Sequence, residues 1–220
     1  PIMLAGSWDS ENDGDREVLE ILCGKPYNEV EALAHSFCTL ENPPCKKIGT
    51  LYILTSQEYD YSYLQDLINP ESLKKFKKVA YDALSEIDPR YDMDKENRFA
   101  ALIEGKKKKF SGALRKGISV SLVLIASQPP ANYPGAGDLV ESVVCDILKK
   151  DRHSWKFWAS VSDVLQNLAE ASPESFLSSL ESLENNQESD IQSIFHQTTS
   201  MGGCDYSNIL WALECCAWNP

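Results

Sequence analysis

Apolar residues recur along most of this chain at the three- and four-residue spacing of amphipathic helices. In the first third of the chain this pattern predicts three helices, residues 15–23, 28–40 and 56–68. Between the last two, residues 45–48 and 51–55 flank Gly49 and predict a short β-hairpin. Helix, turn, helix and hairpin is the order of elements in a winged-helix module.

From Asn69 onward every periodic segment is helical. The sequence predicts a helix start at Asn69-Pro-Glu71. The asparagine amide can cap the helix, the proline fits the first turn, and the glutamate lies beside the positive end of the helix dipole. The predicted helices are residues 69–87, 94–104, 112–127, 137–150, 154–170, 173–183 and 207–218. We therefore expect a mainly α protein, with a winged-helix-like module and N-terminal linker over residues 1–68 and an α-helical, repeat-like array over residues 69–220.

The chain lacks an initiating methionine and stops in or just after an apolar helix, which predicts a segment taken from a longer protein. A formal net charge of −12 disfavours general binding to nucleic acid or to an anionic membrane surface. No apolar run reaches the ~20 residues of a membrane helix. Seven cysteines without repeated spacing favour a reducing, cytoplasmic location.

The second helix argues against DNA readout by the winged-helix-like module. It begins Asn28-Glu-Val-Glu-Ala-Leu-Ala-His35, with two acidic residues and neither arginine nor lysine. Base edges are read mainly by Arg, Lys, Asn and Gln side chains. Only Lys46 and Lys47, in the hairpin, have suitable charge.

Two sets of residues are candidates for an interaction surface. The basic run Lys106, Lys107, Lys108 and Lys109 is either a solvated loop tip or a docking site for an acidic partner. Trp211 and Trp218 share one face of the last helix and either anchor a partner or pack against a further helix.

No catalytic, cofactor-binding or metal-ligating constellation is recognisable in the sequence. The glycines at 135 and 137 and at 202 and 203 do not match a phosphate-binding loop and follow no predicted strand. The three histidines are scattered, and no Cys-x-x-Cys occurs. We therefore expect no enzyme activity within these residues.

Several stretches together resemble the region after the ATPase core of large bacterial STAND NTPases, some of which are antiviral sensors of the Avs type. The stretches are residues 6–9, 15–24, 27–33, 48–56, 111–118, 168–177 and 210–220. They match through apolar patterns and not through a catalytic signature. In that family a winged helix follows the ATPase, and a long helical-repeat sensor follows the winged helix.

The resemblance implies a non-catalytic regulatory and sensor segment of an antiphage defence protein. ATP and Mg²⁺ would bind elsewhere in the parent chain, which would also carry any nuclease effector. The expected partners are other domains of the same chain, a phage protein and further copies upon activation. The junction around Ile68 to Pro70 is the expected lever between modules. The alternatives are a winged-helix transcription regulator with a helical dimerisation or ligand-binding domain, and a plain helical scaffold.

Overall fold

The computed structural model describes residues 1–184, 190–196 and 206–218. Their contacts divide the chain into two compact units. The first contains residues 1–83 and 109–143, and the second contains residues 84–108 and the described part of 144–220. The boundary predicted after residue 68 differs from this division, in which residues 69–83 belong with the preceding module. The described residues are mainly helical with one small antiparallel sheet, as the sequence predicts.

The first unit begins with the elements of the winged-helix-like module. They are α1 (Ile2–Ala5), β1 (Ser7–Asp9), α2 (Asp13–Cys23), α3 (Tyr27–Cys38), β2 (Cys45–Ile48) and β3 (Leu51–Leu54). The predicted hairpin is confirmed, with Gly49 at φ +62° in its turn. The prediction of an N-terminal linker is wrong, because α1 and β1 occupy it and Trp8 is fully buried.

β1 completes a three-stranded antiparallel sheet of order β1-β3-β2. Trp8 lies opposite Tyr52 in the register of β1 and β3, and their rings stack with centroids 4.9 Å apart. Cross-strand aromatic pairs of this kind are a principal source of stability in sheets. The pair therefore fixes the register of a strand only three residues long.

The first unit also contains α4 (Gln57–Leu64), most of α5 (Pro70–Leu84), α6 (Gly112–Ser127) and the start of α7 (Ala136–Lys149). The bounds of α6 are those predicted, since Ser111 caps the helix by accepting a hydrogen bond from the Leu114 amide. Its apolar stripe is buried, and the stripe comprises Leu114, Ile118, Leu122 and Ile125.

Asp15, fully buried, joins α2 to the start of α6. Its carboxylate accepts hydrogen bonds from the Asp9 amide at 2.8 Å and from the Ser111 amide at 2.9 Å. The Ser111 hydroxyl donates a third. Burial raises the pKa of Asp15, and these three donors oppose the shift.

The second unit contains the end of α7 and four further α-helices. They are α8 (Trp155–Val161), α9 (Leu165–Ala171), α10 (Pro173–Glu184) and α11 (Tyr206–Ala217). The single helix predicted over residues 154–170 is wrong, because a turn separates α8 from α9. In a continuous α-helix the Val164 amide would donate to the Ser160 carbonyl. Here the Ser160 carbonyl accepts a hydrogen bond from Lys108 Nζ at 2.6 Å, and the Val164 amide donates to the Val161 carbonyl.

The helix predicted over residues 94–104 is also wrong. Residues Lys95–Ala100 form a 3-10 helix, and a turn follows that ends at Gly105 with φ +72°. The apolar side chains of Phe99, Leu102 and Ile103 are exposed, so no packed face supports an α-helix here. Most helical stability in proteins comes from packing and not from propensity.

Candidate functional site

The outer face of α3 is the position at which a winged-helix module presents side chains to a partner. Val30 and Ala34 face the core, while Glu29, Leu33 and Ser36 are exposed. The helix starts after Pro26, whose fixed φ suits a helix entry, and the Tyr27 amide donates to the Glu20 carboxylate at 2.8 Å. Asn28 and His35 are exposed as well, so α3 presents acidic, aliphatic, hydroxyl, amide and imidazole groups, with neither Lys nor Arg.

Contacts with the sheet hold the inner edge of α3 in place. Tyr27 Oη accepts a hydrogen bond from Trp8 Nε1 at 3.1 Å. The Tyr52 hydroxyl donates to Glu31 at 3.3 Å, and Lys47 Nζ lies 4.7 Å from the centre of the Tyr52 ring. These side chains fix the rotation of α3, and with it the residues that α3 exposes.

Two lysines beside α3 are paired with carboxylates of that helix. Lys47 Nζ lies 3.2 Å from Glu31 Oε1, and Lys25 Nζ lies 3.6 Å from Glu29 Oε2. The hydrogen bond with Tyr52 is the main cause that raises the pKa of Lys47, and the bond with Glu31 adds to it. A lysine in such an exposed pair keeps its charge, but it must leave its carboxylate in order to contact a phosphate backbone. Of the two hairpin lysines that the sequence singled out, only Lys46 is exposed without such a role in the fold.

The basic run Lys106–Lys109 does not act as one cluster. Lys108 pairs with Asp163 in the second unit, and Lys109 pairs with Glu17 in the first unit. Lys106 and Lys107 are exposed. A docking role for the run stays a prediction that rests on these two residues.

The two candidate tryptophans are both exposed, Trp211 on α11 and Trp218 directly after its end at Ala217. α11 packs against α9 through its buried Ala212, whereas Trp211 and Trp218 are exposed together with Leu210. Gly202 and Gly203 lie outside the described residues. The role of the tryptophans as anchors stays a prediction.

A surface on α4 was not singled out from the sequence. Tyr59 and Tyr63 recur at a four-residue spacing and are exposed, whereas Tyr61 between them is buried. The rings of Tyr59 and Tyr63 lie 4.7 Å apart, and Leu67 follows them on the 3-10 helix Gln65–Leu67. The sequence did contain an indication of this surface, because no Lys, Arg or His occurs between residues 48 and 73.

Among the residues that the structure describes, no three His, Cys, Asp or Glu side chains are arranged to hold a metal ion. Within the same residues no helix combines the length and apolarity needed to cross a membrane. No disulfide joins the six described cysteines. No family model, curated protein or solved structure matches the chain.

Proposed function

We propose that this chain is a non-catalytic regulatory and sensor segment of a STAND-type NTPase in antiphage defence. In this proposal it couples recognition of a phage protein in the cytoplasm to ATPase and effector domains elsewhere in the parent protein. ATP and Mg²⁺ belong to the parent, and the parent assembles into oligomers upon activation.

The exposed face of α3 is the observation that carries the proposal. A DNA-reading helix needs donors toward base edges and free cations toward phosphates. α3 presents Glu29 and Leu33 beside Asn28 and His35, and it carries no Arg or Lys. The nearby Lys25 and Lys47 are paired with carboxylates. Such a face suits a protein surface, which here is another domain of the same parent chain.

The coupling is conformational in this proposal. The module holds the nucleotide domain closed, and the helical segment binds the phage protein. A full shift between closed and open states requires a difference in binding free energy of about 5 kcal/mol. The expected lever, residues 68–70, lies within the first unit, where the Asn132 side chain donates to the Ile68 carbonyl at 3.1 Å.

Duplex DNA tests the proposal against a transcription regulator. Fluorescence anisotropy with a labelled mixed-sequence duplex should show no binding at physiological salt. Binding with an affinity that falls steeply as salt is raised would favour the regulator and contradict the proposal.

Substitution of Leu33 in the full-length protein tests the coupling. Leu33→Ser should change the stimulation of ATP hydrolysis during phage infection, because it removes an apolar contact of α3. Leu40→Ser is the matched control, since Leu40 lies in the same unit outside α3 and is 54% exposed, against 47% for Leu33. A full-length protein without Mg²⁺-dependent ATPase activity, or equal stimulation in both variants, would contradict the proposal.

Asn132→Ala tests the lever. The Asn132 amide also donates to the Asp66 carbonyl at 3.0 Å, so the variant releases two hydrogen bonds to residues 66 and 68 of the first unit. Activation of the full-length protein should change while binding of the phage protein persists. Unchanged activation would remove residues 68–70 from the mechanism.

A further inference from the structure

A continuous strip of exposed aromatic and aliphatic side chains runs along α4 and the 3-10 helix that follows it. Tyr59 is 62% exposed, Tyr63 is 69% exposed and Leu67 is 77% exposed. Tyr59 and Tyr63 are i, i+4 neighbours on α4, and Leu67 follows on the 3-10 helix Gln65–Leu67. Exposed tyrosines and aliphatic side chains grouped in this way are typical of protein-binding surfaces.

The strip ends at an apolar cavity within the first unit. The cavity has a volume of about 120 Å³, and Met3, Leu4, Leu64, Leu67 and Ile68 line most of it. An apolar protein cavity of ~150 Å³ accepts a benzene molecule. The cavity on this unit therefore has room for one aliphatic side chain.

The segment that carries the strip is acidic in sequence, because residues 48–73 contain four carboxylates and no Lys, Arg or His. Glu71 pairs with Lys75 at 3.2 Å and the N-terminal Pro1 also lines the cavity, so Glu58, Asp60 and Asp66 supply the net negative charge. The Tyr59 and Tyr63 rings add two aromatic faces, which attract cations. A hydrogen bond with Tyr63 raises the pKa of Tyr59, so the Tyr59 ring stays neutral at physiological pH.

We propose that this strip, Tyr59–Tyr63–Leu67 with its cavity, docks a cationic segment of a protein partner. One aliphatic side chain of the partner enters the cavity, and its lysine or arginine side chains lie over the tyrosine rings and beside the carboxylates. This inference goes beyond the proposed function and does not depend on the parent being a STAND-type NTPase.

A labelled, end-blocked peptide of lysine and alanine with one central leucine is the probe. The full chain should bind it at physiological salt, and a peptide with glutamate in place of lysine should not bind. Leu67→Ser should weaken binding about tenfold or more, because the leucine contact in the cavity is lost. Tyr63→Ala should weaken binding, and Tyr63→Phe should restore it, since phenylalanine keeps the aromatic face.

Leu40→Ser is the control variant, because Leu40 is an exposed leucine of the same unit outside the strip. It should leave the affinity of the peptide unchanged within about twofold. All four side-chain changes lie at exposed positions, and circular dichroism should confirm that the variants fold.

Two results would overturn the inference. Equal affinity in the Leu67→Ser, Tyr63→Ala and Leu40→Ser variants would show that the acidic chain attracts the peptide without this site. A dimer in sedimentation experiments that Leu67→Ser abolishes would show that a second copy of the chain covers the strip instead.

Discussion

Gly117 in α6 provides the sharpest test of how the first unit is packed. A β-carbon at this position would lie 2.0 Å from the Ala5 carbonyl oxygen and 2.7 Å from the Ser7 amide nitrogen. Ordinary contacts of a β-carbon begin near 3.4 Å. Gly117→Ala therefore forces α6 and the α1–β1 segment apart by about 1 Å.

The α1–β1 segment cannot retreat without losing hydrogen bonds. The Ser7 hydroxyl donates to the Ala113 carbonyl at 2.7 Å, and the Ser121 hydroxyl donates to the Leu4 carbonyl at 3.0 Å. The Gln57 side chain bridges the two parts, donating to the Met3 and Gly117 carbonyls at 3.1 and 2.9 Å. These contacts fix the distance between the helix and the segment.

The magnitude follows from three contributions. Overpacking costs about 1–3 kcal/mol, and each strained or lost hydrogen bond costs about 1 kcal/mol. The better helix propensity of alanine offsets about 1 kcal/mol. We expect Gly117→Ala to lower the free energy of unfolding by about 3 kcal/mol.

Gly112→Ala is the matched control, since it makes the same substitution in the same helix. A β-carbon at Gly112 meets no atom within 4 Å. This variant should be as stable as the natural chain or up to about 0.5 kcal/mol more stable. Urea unfolding followed by circular dichroism measures both variants. A Gly117→Ala protein as stable as the Gly112→Ala protein would refute the close approach of α6 to α1 and β1.

Three further predictions concern buried polar groups. Asp15→Ala should lower the free energy of unfolding by about 2–4 kcal/mol in urea titrations, because three hydrogen-bond donors lose their acceptor. Burial raises the pKa of Tyr61 to about 12, so the unfolded chain ionises first and the chain should lose stability between about pH 10 and pH 12. In thermal melts the Tyr61→Phe variant should lose less stability than the natural chain over that pH range. At neutral pH it should be less stable by about 1 kcal/mol, because it lacks the hydrogen bond from Tyr61 to the Gln128 carbonyl. Burial raises the pKa of Cys45 to about 12, so mass spectrometry should find it far less alkylated by iodoacetamide in the folded than in the unfolded chain near pH 8.

Local sequence signals predicted the elements whose ends are set locally. α6 begins after the cap Ser111, and the hairpin turns at Gly49, where only a glycine readily adopts the positive φ. β1 carries no such signal, because it is three residues long and its partner strand lies more than forty residues further along the chain. This strand is held by the stacking of Trp8 on Tyr52. The periodicity of apolar residues along the chain cannot reveal such a contact between distant residues.

The residue types of the candidate site could be predicted from the sequence, but the contacts between its side chains could not. The acidic character of α3 is plain in the sequence, but the pairing of Lys47 with Glu31 joins residues in different elements of the module. On α4 the periodic tyrosines predicted a helix correctly. Which tyrosine faces the core depends on the position of α6. The carbonyl of Gln128, the residue directly after α6, accepts the hydrogen bond from the Tyr61 hydroxyl.

The distribution of charge within the first unit limits what can bind to it. Lysines near α3 are held by Glu29 and Glu31, and residues 48–73 carry carboxylates alone. The carboxylates of α3 are thus balanced by lysines, whereas Glu58, Asp60 and Asp66 leave net negative charge near the exposed tyrosine and leucine side chains of the α4 surface. Electrostatic attraction to such a surface weakens as salt is raised, whereas the apolar contacts persist. A cationic partner with an apolar anchor satisfies both demands, and a phosphate backbone satisfies neither.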